Sequence, residues 1–292
     1  MKARFWGTRG SIATPGPATM KYGGNTPCVE VRAGNDIFVF DAGTGLRGLG
    51  IELLNEFASQ PITVHLFISH THWDHIQGFP FFIPAYQKHH RIFVYGPPGR
   101  GRSLEQIFQT QLDSDYHPIA LSDMGSNIVI QEIREPMRFG DVTVDFMYLN
   151  HPAMCLGYRI SHQGSSIVYA TDNEPYEFTL PQIDSPTGPA GFPRMLDDKL
   201  TYFVEGAGLY IGDAQFTAEE YQYKKGWGHT PLDSCVDTAV AAHVGKLALF
   251  HHDPFHDDAF VDGMVQRACA LIAARGSSVE CFGAAEGMEV SV

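Results

Sequence analysis

Four side chains that could bind metal lie within six consecutive residues of the sequence: His70, His72, Asp74 and His75, in the pattern HxHxDH. They follow the apolar run ITVHLFIS, which is typical of a buried strand. Alternate residues of an extended segment point the same way, so His70 and His72 can reach one ion while Asp74 and His75 turn toward a second. Imidazole nitrogen and carboxylate oxygen suit Zn²⁺, Mn²⁺ and Fe²⁺ alike, and the residues alone do not choose among them.

Several other predicted strands also end in a polar side chain that could bind metal. These residues are Asp41 in FVFDAG, Asp172 in IVYATD, Asp213 in LYIGDA and His251 in LALFHH. The segments FVFDAG and IVYATD resemble each other, which indicates two related halves. We therefore expect the strand ends to converge on one polar site.

The elements that must position these residues are predominantly strands. Runs rich in β-branched and aromatic residues predict strands over 37–43, 62–70, 91–97, 142–149, 166–172, 209–214 and 247–252. Apolar residues that return every three or four positions predict helices over 46–58, 103–112, 231–243 and 258–274. The Pro/Gly-rich segment 180–195 is predicted to be a loop. This mixture predicts an α/β protein whose sheets are covered by helices on their outer faces.

Composition restricts the class of partner. The 292 residues are 44% hydrophobic, which is enough for a sizeable core. The net charge of −13, from 33 acidic and 20 basic residues, disfavours a surface that grips long polyanions but is compatible with a small anionic substrate. The sequence has no apolar leader and no run long enough for a membrane span, and its five cysteines form no CxxC pair. These features predict a cytoplasmic protein without a membrane partner.

The HxHxDH segment resembles the signature of the metallo-β-lactamase fold superfamily. In that superfamily two related halves form an αββα sandwich of two mixed β-sheets flanked by helices. The resemblance runs from GTRGS near the start of the chain to FHHDP near its end. It implies one domain of this fold over residues 1–292.

The same resemblance implies a ligand set for two divalent ions, with zinc ranked first and manganese or iron as alternatives. The ligands would be His70, His72 and His151 for one ion, Asp74, His75 and His251 for the other, and Asp172 between them. His252 competes with His251 for the last position. Taken singly, His151 could instead cap a strand end before a proline, and Asp172 could open a turn with Asn173.

The segment GDAQFTAEEYQYKKGWGHTPL looks like the phosphodiesterase branch of the superfamily, which includes ribonuclease Z and phosphoribosyl cyclic phosphodiesterases. There, a carboxylate at the Asp213 position orients a histidine at the His229 position, which protonates the leaving oxygen. His229, Asp213 and Asp74 are therefore the predicted catalytic residues. The alternative for this segment is purely structural, with Thr230 capping the helix that starts near Pro231. Asp41 is expected to orient the histidine loop as a hydrogen-bond acceptor.

The leading functional prediction is a metal-dependent phosphodiesterase that acts on a small cyclic or nucleotide-type phosphodiester. No long nucleic acid is expected, because the net charge is negative and segment 180–195 contains only one basic residue, Arg194. The alternatives are a thioester or lactone hydrolase of the glyoxalase II type, a tRNA 3′-processing endonuclease, and a metal-binding sensor without turnover. The family resemblance is also compatible with a homodimer.

Overall fold

The computed structural model describes residues 1–34, 36–58, 60–180 and 192–292. Contacts within the chain define two units, which we call the first unit (Met1–Pro136 with Ala284–Ser291) and the second unit (Met137–Gly283 with Val292). Each unit contains one seven-stranded sheet. A single domain made of two related halves stays a prediction.

The described residues contain strands β1 to β14 and helices α1 to α8. The strands are β1 (Lys2–Gly7), β2 (Cys28–Ala33), β3 (Asp36–Phe40), β4 (Thr63–Phe67), β5 (Arg91–Gly96), β6 (Asn127–Glu132), β7 (Met137–Phe139), β8 (Val142–Leu149), β9 (Cys155–His162), β10 (Ser165–Ala170), β11 (Leu209–Asp213), β12 (Lys246–Phe250), β13 (Glu280–Gly283) and β14 (Glu289–Ser291). The helices are α1 (Leu46–Phe57), α2 (Trp73–Ile76), α3 (Leu104–Gln111), α4 (Tyr176–Thr179), α5 (Phe192–Val204), α6 (Ala218–Lys224), α7 (Leu232–Ala241) and α8 (Asp258–Ala274).

The two sheets follow the same pairing pattern. In the first unit the order is β14-β1-β2-β3-β4-β5-β6, and in the second unit it is β13-β12-β11-β10-β9-β8-β7. In the first sheet β14, β1, β2 and β3 pair antiparallel, whereas β3, β4, β5 and β6 pair parallel. In the second sheet β7, β8, β9 and β10 pair antiparallel, whereas β10, β11, β12 and β13 pair parallel. Both sheets are therefore mixed, as predicted.

Burial explains why the parallel strands read as nearly continuous apolar runs. The last four residues of β3, β4 and β12 are all buried, as expected for parallel strands covered on both faces. In the first unit Val39 and Leu66 belong to the same apolar cluster as Leu49 of α1. In the second unit Leu249 belongs to a cluster with Val236 of α7. Each sheet thus has a helix packed close to the strand ends that carry the polar residues.

The predicted bounds are accurate for some elements and too long for others. Strand β8 and helix α8 have the bounds predicted for 142–149 and for 258–274. The strand predicted over 62–70 is too long, because β4 ends at Phe67 and the amide of Ser69 donates to the Asp41 carboxylate instead of to a neighbouring strand.

The predicted loop over 180–195 is only partly testable. Residues 181–191 lie outside the described residues, and residues 192–195 belong to α5, so the end of that prediction is wrong. Pro193 is tolerated because it lies in the first turn, where its missing N–H leaves no helical hydrogen bond unmade. No helix in the described part of the chain is long and apolar enough to cross a membrane.

Candidate metal centre

The HxHxDH residues of the first unit cluster in the loop after β4 and in the short helix α2. His70, Asp74 and His75 are buried, whereas His72 is exposed. The ring centroid of His70 lies 4.5 Å from that of His72 and 4.2 Å from that of His75. The Oδ2 atom of Asp74 lies 3.2 Å from Nε2 of His75. The four predicted residues therefore form one cluster of possible ligands.

Asp41, which directly follows β3, holds this cluster in place. Its Oδ1 accepts from the Ser69 amide at 2.6 Å, and its Oδ2 accepts from the Ser69 hydroxyl at 2.8 Å and from His75 Nδ1 at 2.7 Å. Asp41 adopts φ 63°, in the left-handed region, which is how the chain turns its carboxylate toward the next strand end. The predicted supporting role of Asp41 is confirmed by these contacts.

The second unit brings Asp172 and His251 together at the ends of β10 and β12. His251 Nε2 lies 3.3 Å from Asp172 Oδ2, and both side chains are buried. Ligating atoms of Asp172, His229 and His251 all lie within 4.8 Å of one another. Asp172 (φ 58°) and His251 (φ 62°) also adopt left-handed backbone conformations.

His229 is oriented by a carboxylate, as the resemblance implies. Its Nδ1 lies 3.0 Å from Asp213 Oδ2 and 3.7 Å from Asp172 Oδ1. Asp213, at the end of β11, is itself fixed by the amides of Asn173 at 3.3 Å and Gln215 at 3.0 Å. An imidazole that donates from Nδ1 to a carboxylate has Nε2 as the atom that can carry a second proton toward a substrate.

The helix-cap alternative for Thr230 is wrong. Helix α7 begins at Leu232 with Pro231 as its N-cap residue, and no side chain caps it. The Thr230 hydroxyl instead donates to the carbonyl oxygen of Asn173. Thr230 therefore ties the His229 loop to the turn that contains Asp172.

Four of the predicted histidine ligands direct Nδ1 at an oxygen atom. The partners are Ser69 Oγ for His70 (3.1 Å), Asp41 Oδ2 for His75 (2.7 Å), the Gly228 carbonyl for His151 (3.0 Å) and Gln215 Oε1 for His251 (3.0 Å). A histidine that donates from Nδ1 presents the lone pair of Nε2, which is the form that binds a metal ion.

The spacing of the donor atoms also fits a divalent cation. Two ligand atoms that share a tetrahedral ion at 2.0–2.1 Å lie about 3.3 Å apart. The distances between His75 Nε2 and Asp74 Oδ2 (3.2 Å) and between His251 Nε2 and Asp172 Oδ2 (3.3 Å) match that value. The residues present therefore fit the metal ions that the sequence predicts.

Two buried residues of this region were not predicted. Gln215 accepts from His251 through Oε1, and its Nε2 donates to Asp253 Oδ2 at 3.2 Å. Glu174 accepts from the Tyr221 hydroxyl at 2.6 Å and from the amides of Gly226 and Gly228 at 2.7 and 2.8 Å. Burial and the Glu174 carboxylate raise the pKa of Tyr221, so its hydroxyl stays protonated and donates. The available sequence signal for Gln215 was its position, two residues after Asp213 in GDAQF.

Comparison of the sequence with known proteins identifies relatives over most of the chain. A family model described as the β-lactamase superfamily domain matches residues 37–252. Ribonuclease Z of Haloarcula marismortui is 22% identical over 86% of this chain and 86% of its own length. Ribonuclease Z of Treponema pallidum is 30% identical over 79% of this chain and 82% of its own length.

Solved structures agree on the fold. The metallo-β-lactamase fold protein YhfI of Bacillus subtilis superposes with a TM-score of 0.70 at 20% identity, covering 99% of each chain. The short form of human tRNase Z has a TM-score of 0.62 at 16% identity, covering 100% of this chain and 99% of its own. Zinc-bound PqqB of Methylobacterium extorquens has a TM-score of 0.64 at 11% identity and covers 100% of both chains. The predicted metallo-β-lactamase fold is confirmed.

These relatives contradict one sequence-based expectation. A small phosphodiester partner and no long nucleic acid were expected, but the relatives are ribonucleases, and the human structure is by its name a tRNase. That expectation is wrong. The charge of −13 is a sum over the whole chain, whereas contacts to phosphates depend on the charge near the substrate.

Proposed function

Because the chain belongs to the β-lactamase superfamily and is a metal-dependent phosphodiester hydrolase, we propose that it cuts a phosphodiester bond in RNA, in the manner of a tRNA 3′-processing endonuclease. The relatives named ribonuclease Z align with this chain across both units. The observation that carries the proposal is the pair of His229 and Asp213 at 3.0 Å, within the segment that resembles the phosphodiesterase branch.

The proposed ligands of two divalent ions are the seven predicted residues, with zinc as the first choice. They are His70, His72, Asp74, His75, His151, Asp172 and His251. The hydrogen bonds to Nδ1 and the donor spacings within each unit support this set. When bound, the two cations would lower the pKa of a water toward neutrality and offset negative charge on the phosphate.

Protein side chains supply the remaining chemistry. Asp41 and Gln215 hold His75 and His251 in the orientation that turns Nε2 toward a carboxylate. Asp74 contributes its carboxylate, whose Oδ2 also accepts from the Ser11 amide at 2.7 Å. His229 would donate a proton from Nε2 to the departing oxygen, and Asp213 would stabilise the imidazolium.

A substrate comparison tests the reaction class. Purified protein is supplied with zinc or manganese and given a 3′-extended hairpin RNA, a cyclic mononucleotide, a thioester and a lactone. We expect the RNA to have the highest kcat/KM. Faster turnover of the thioester or the lactone, or no cleavage of RNA with either metal, would overturn the proposal.

The role of His229 is tested by leaving-group dependence. We expect His229→Ala to slow cleavage of RNA by about 10²- to 10⁴-fold, because the departing alkoxide needs a proton. The loss should be much smaller for an activated aryl phosphodiester, whose phenolate leaves without one. The matched control is His162→Ala, since His162 forms a His–Asp pair of the same 3.0 Å with Asp141 at the surface. An equal loss on both substrates would exclude His229 as the acid.

A cytoplasmic location is also our proposal. It is supported by the five cysteines, all of which are free thiols in the structure. Burial raises the pKa of Cys28 and Cys235 well above the ordinary value, which keeps both protonated and unreactive. Fewer than five titratable thiols after the isolated protein is denatured without reductant would contradict this location.

A further inference from the structure

Two large aromatic side chains protrude from the segment that leads to His229. Tyr223, in α6, is 85% exposed, and Trp227, in the loop after it, is 57% exposed. Side chains of this size are usually at least half buried in a folded protein, where they contribute strongly to packing. Neither ring belongs to the apolar cluster that the described residues of the second unit form around Leu249 and Val236. Their exposure indicates a surface that contacts something else.

Positive charge accompanies these rings. Lys224 Nζ lies 4.0 Å from the Trp227 ring centroid and 5.8 Å from that of Phe216. The Lys225 side chain is exposed. Within the part of the chain that the structure describes, neither ammonium group pairs with a carboxylate. Two uncompensated cations next to two exposed rings stand out in a chain of net charge −13.

The buried carboxylate of Glu174 fixes the conformation of this segment. Glu174 is 2% exposed and holds the start of the segment through the Tyr221 hydroxyl and its end through the amides of Gly226 and Gly228. Gly228 has φ 89°, and a Cβ there would lie 2.2 Å from His151 Nδ1, so the backbone runs directly against that histidine. The rings and ammonium groups are therefore presented from a preorganised loop.

The segment is also close to the proposed acid. Trp227 precedes His229 by two residues, and consecutive Cα atoms are 3.8 Å apart, so the two Cα atoms are separated by at most about 7.6 Å. That span is comparable to the separation of neighbouring nucleotides along an extended strand. A strand whose scissile bond lies at His229 would thus pass within about one nucleotide of the Trp227 backbone.

We propose that Tyr223, Lys224, Lys225 and Trp227 form a platform for single-stranded RNA beside the bond that is cut. A base stacks on Trp227, and the two ammonium groups contact the adjacent phosphates. Aromatic stacking with positive charge is how proteins bind single strands with little dependence on sequence. The inference rests on the proposed function, and it names the part of the RNA that the second unit holds.

The experiment measures binding separately from cleavage. The metal-loaded His229→Ala variant serves as background, and the Kd for a short fluorescein-labelled single-stranded RNA is measured by anisotropy at several salt concentrations. Trp227→Ala is expected to weaken binding between about 5- and 150-fold, because stacking of one base contributes that much. Trp227→Phe should recover part of the affinity, since it retains an aromatic face.

Removal of the two ammonium groups should change how RNA binding depends on the salt concentration. The slope of log K against log salt is negative. For the Lys224→Gln/Lys225→Gln double variant, we expect its magnitude to decrease by about 1.4, because each ammonium group that neutralises a phosphate of a single strand accounts for about 0.7 of that magnitude. The matched controls are Tyr202→Ala and Lys199→Gln on α5, which alter an exposed ring and an exposed ammonium of the same unit. They should change neither the affinity nor the slope.

The outcomes separate this inference from the proposed function. Tight RNA binding that Trp227→Ala and the double lysine variant leave unchanged would overturn the platform while RNA cleavage by the parent protein still stands. Absence of RNA binding by the background variant would also overturn it. Weakened binding in both platform variants supports the platform, even if the parent protein proves to cleave another substrate faster.

Discussion

The first parallel strand of each sheet is followed by an aspartate with a left-handed backbone, but the two aspartates make different contacts. In the first unit Asp41 follows β3, with φ 63°. In the second unit Asp172 lies two residues after β10, with φ 58°. Asp41 directs both oxygens at Ser69 and His75, whereas Asp172 lies beside His251 at 3.3 Å and His229 at 3.7 Å. The aspartate at this position therefore supports a histidine in the first unit, whereas in the second unit it faces two histidines.

This difference shows how a repeated sheet pattern can carry unequal chemistry. The pairing order determines where a polar side chain emerges, since the carboxyl ends of neighbouring parallel strands lie side by side. What that side chain then does depends on the next strand end. Strand β4 is followed by the HxHxDH loop, whereas β11 ends in Asp213 and is followed by Gln215. The functional contrast between the units comes from the loops more than from the strands.

Exchange of each aspartate for asparagine should have the largest effect and tests the contrast directly. We expect Asp172→Asn to lower metal affinity by more than about 100-fold, because a proposed ligand loses its charge. Asp41→Asn should lower it by about 10- to 100-fold, the range for a residue that orients a ligand. Competition titration with a chelator and elemental analysis would measure both. Equal losses in the two variants would remove the distinction between ligand and support.

Loss of the neutral partners that orient the histidines should have a smaller effect. We expect Gln215→Leu in the second unit and Ser69→Ala in the first to lower metal affinity by about 10-fold each, at the lower end of the range for such residues. Gln215→Glu preserves an acceptor for His251 Nδ1 and should retain affinity. The same titration measures these variants. An unchanged affinity in Gln215→Leu would show that His251 needs no such partner.

The helix caps offer a comparison of stability between the units. Ser103 with Gln106 caps α3 in the first unit, and Thr217 with Glu220 caps α6 in the second. We expect Ser103→Ala and Thr217→Ala each to reduce the free energy of unfolding by about 1 kcal/mol, because each leaves a helical amide without its acceptor. Urea denaturation measures the change. A loss well above about 2 kcal/mol in either variant would mean that the residue does more than cap.

The smallest expected effect is a pH dependence confined to the first unit. His65 on β4 lies between Phe38 and Phe93, with ring centroids 5.4 Å away on each side, and its Nδ1 is 3.3 Å from the Tyr95 hydroxyl. Burial lowers the pKa of His65 from its ordinary value of 6.5. Burial also raises the pKa of Tyr95 to about 12, so that hydroxyl stays protonated and can donate to the neutral imidazole.

The sign of that dependence follows from proton binding. Since the unfolded chain binds a proton to His65 more readily than the folded chain does, stability should fall as the pH drops below about 6.5. His65→Phe should remove this part of the slope, and denaturation at several pH values would measure it. A variant with the same slope as the parent would show that other groups account for the pH dependence.

The sequence indicates the residues that a compact motif or a strand end marks. HxHxDH, Asp41 and Asp213 each follow or end a predicted strand, and the pairing of Asp213 with His229 came from the family resemblance. Gln215 was missed because it lies two residues beyond a strand end and belongs to no such motif, although its contact with His251 spans 36 residues, close to the 34 between Asp41 and His75. Helix α6 was also missed, although TAEE carries the capping-box pattern that Thr217 and Glu220 form. The expected partner was wrong because the charge summed over the whole chain does not report the charge near the substrate.

The left-handed backbones of Asp41, Asp172 and His251 have a consequence for substitution by glycine. A residue with a side chain in that conformation costs roughly 1 kcal/mol compared with glycine. Glycine in place of Asp41 would relieve that cost but would leave the buried Ser69 amide without its acceptor, which costs as much or more. The contacts of the Asp41 side chain therefore hold it at this position against the preference of the backbone for glycine.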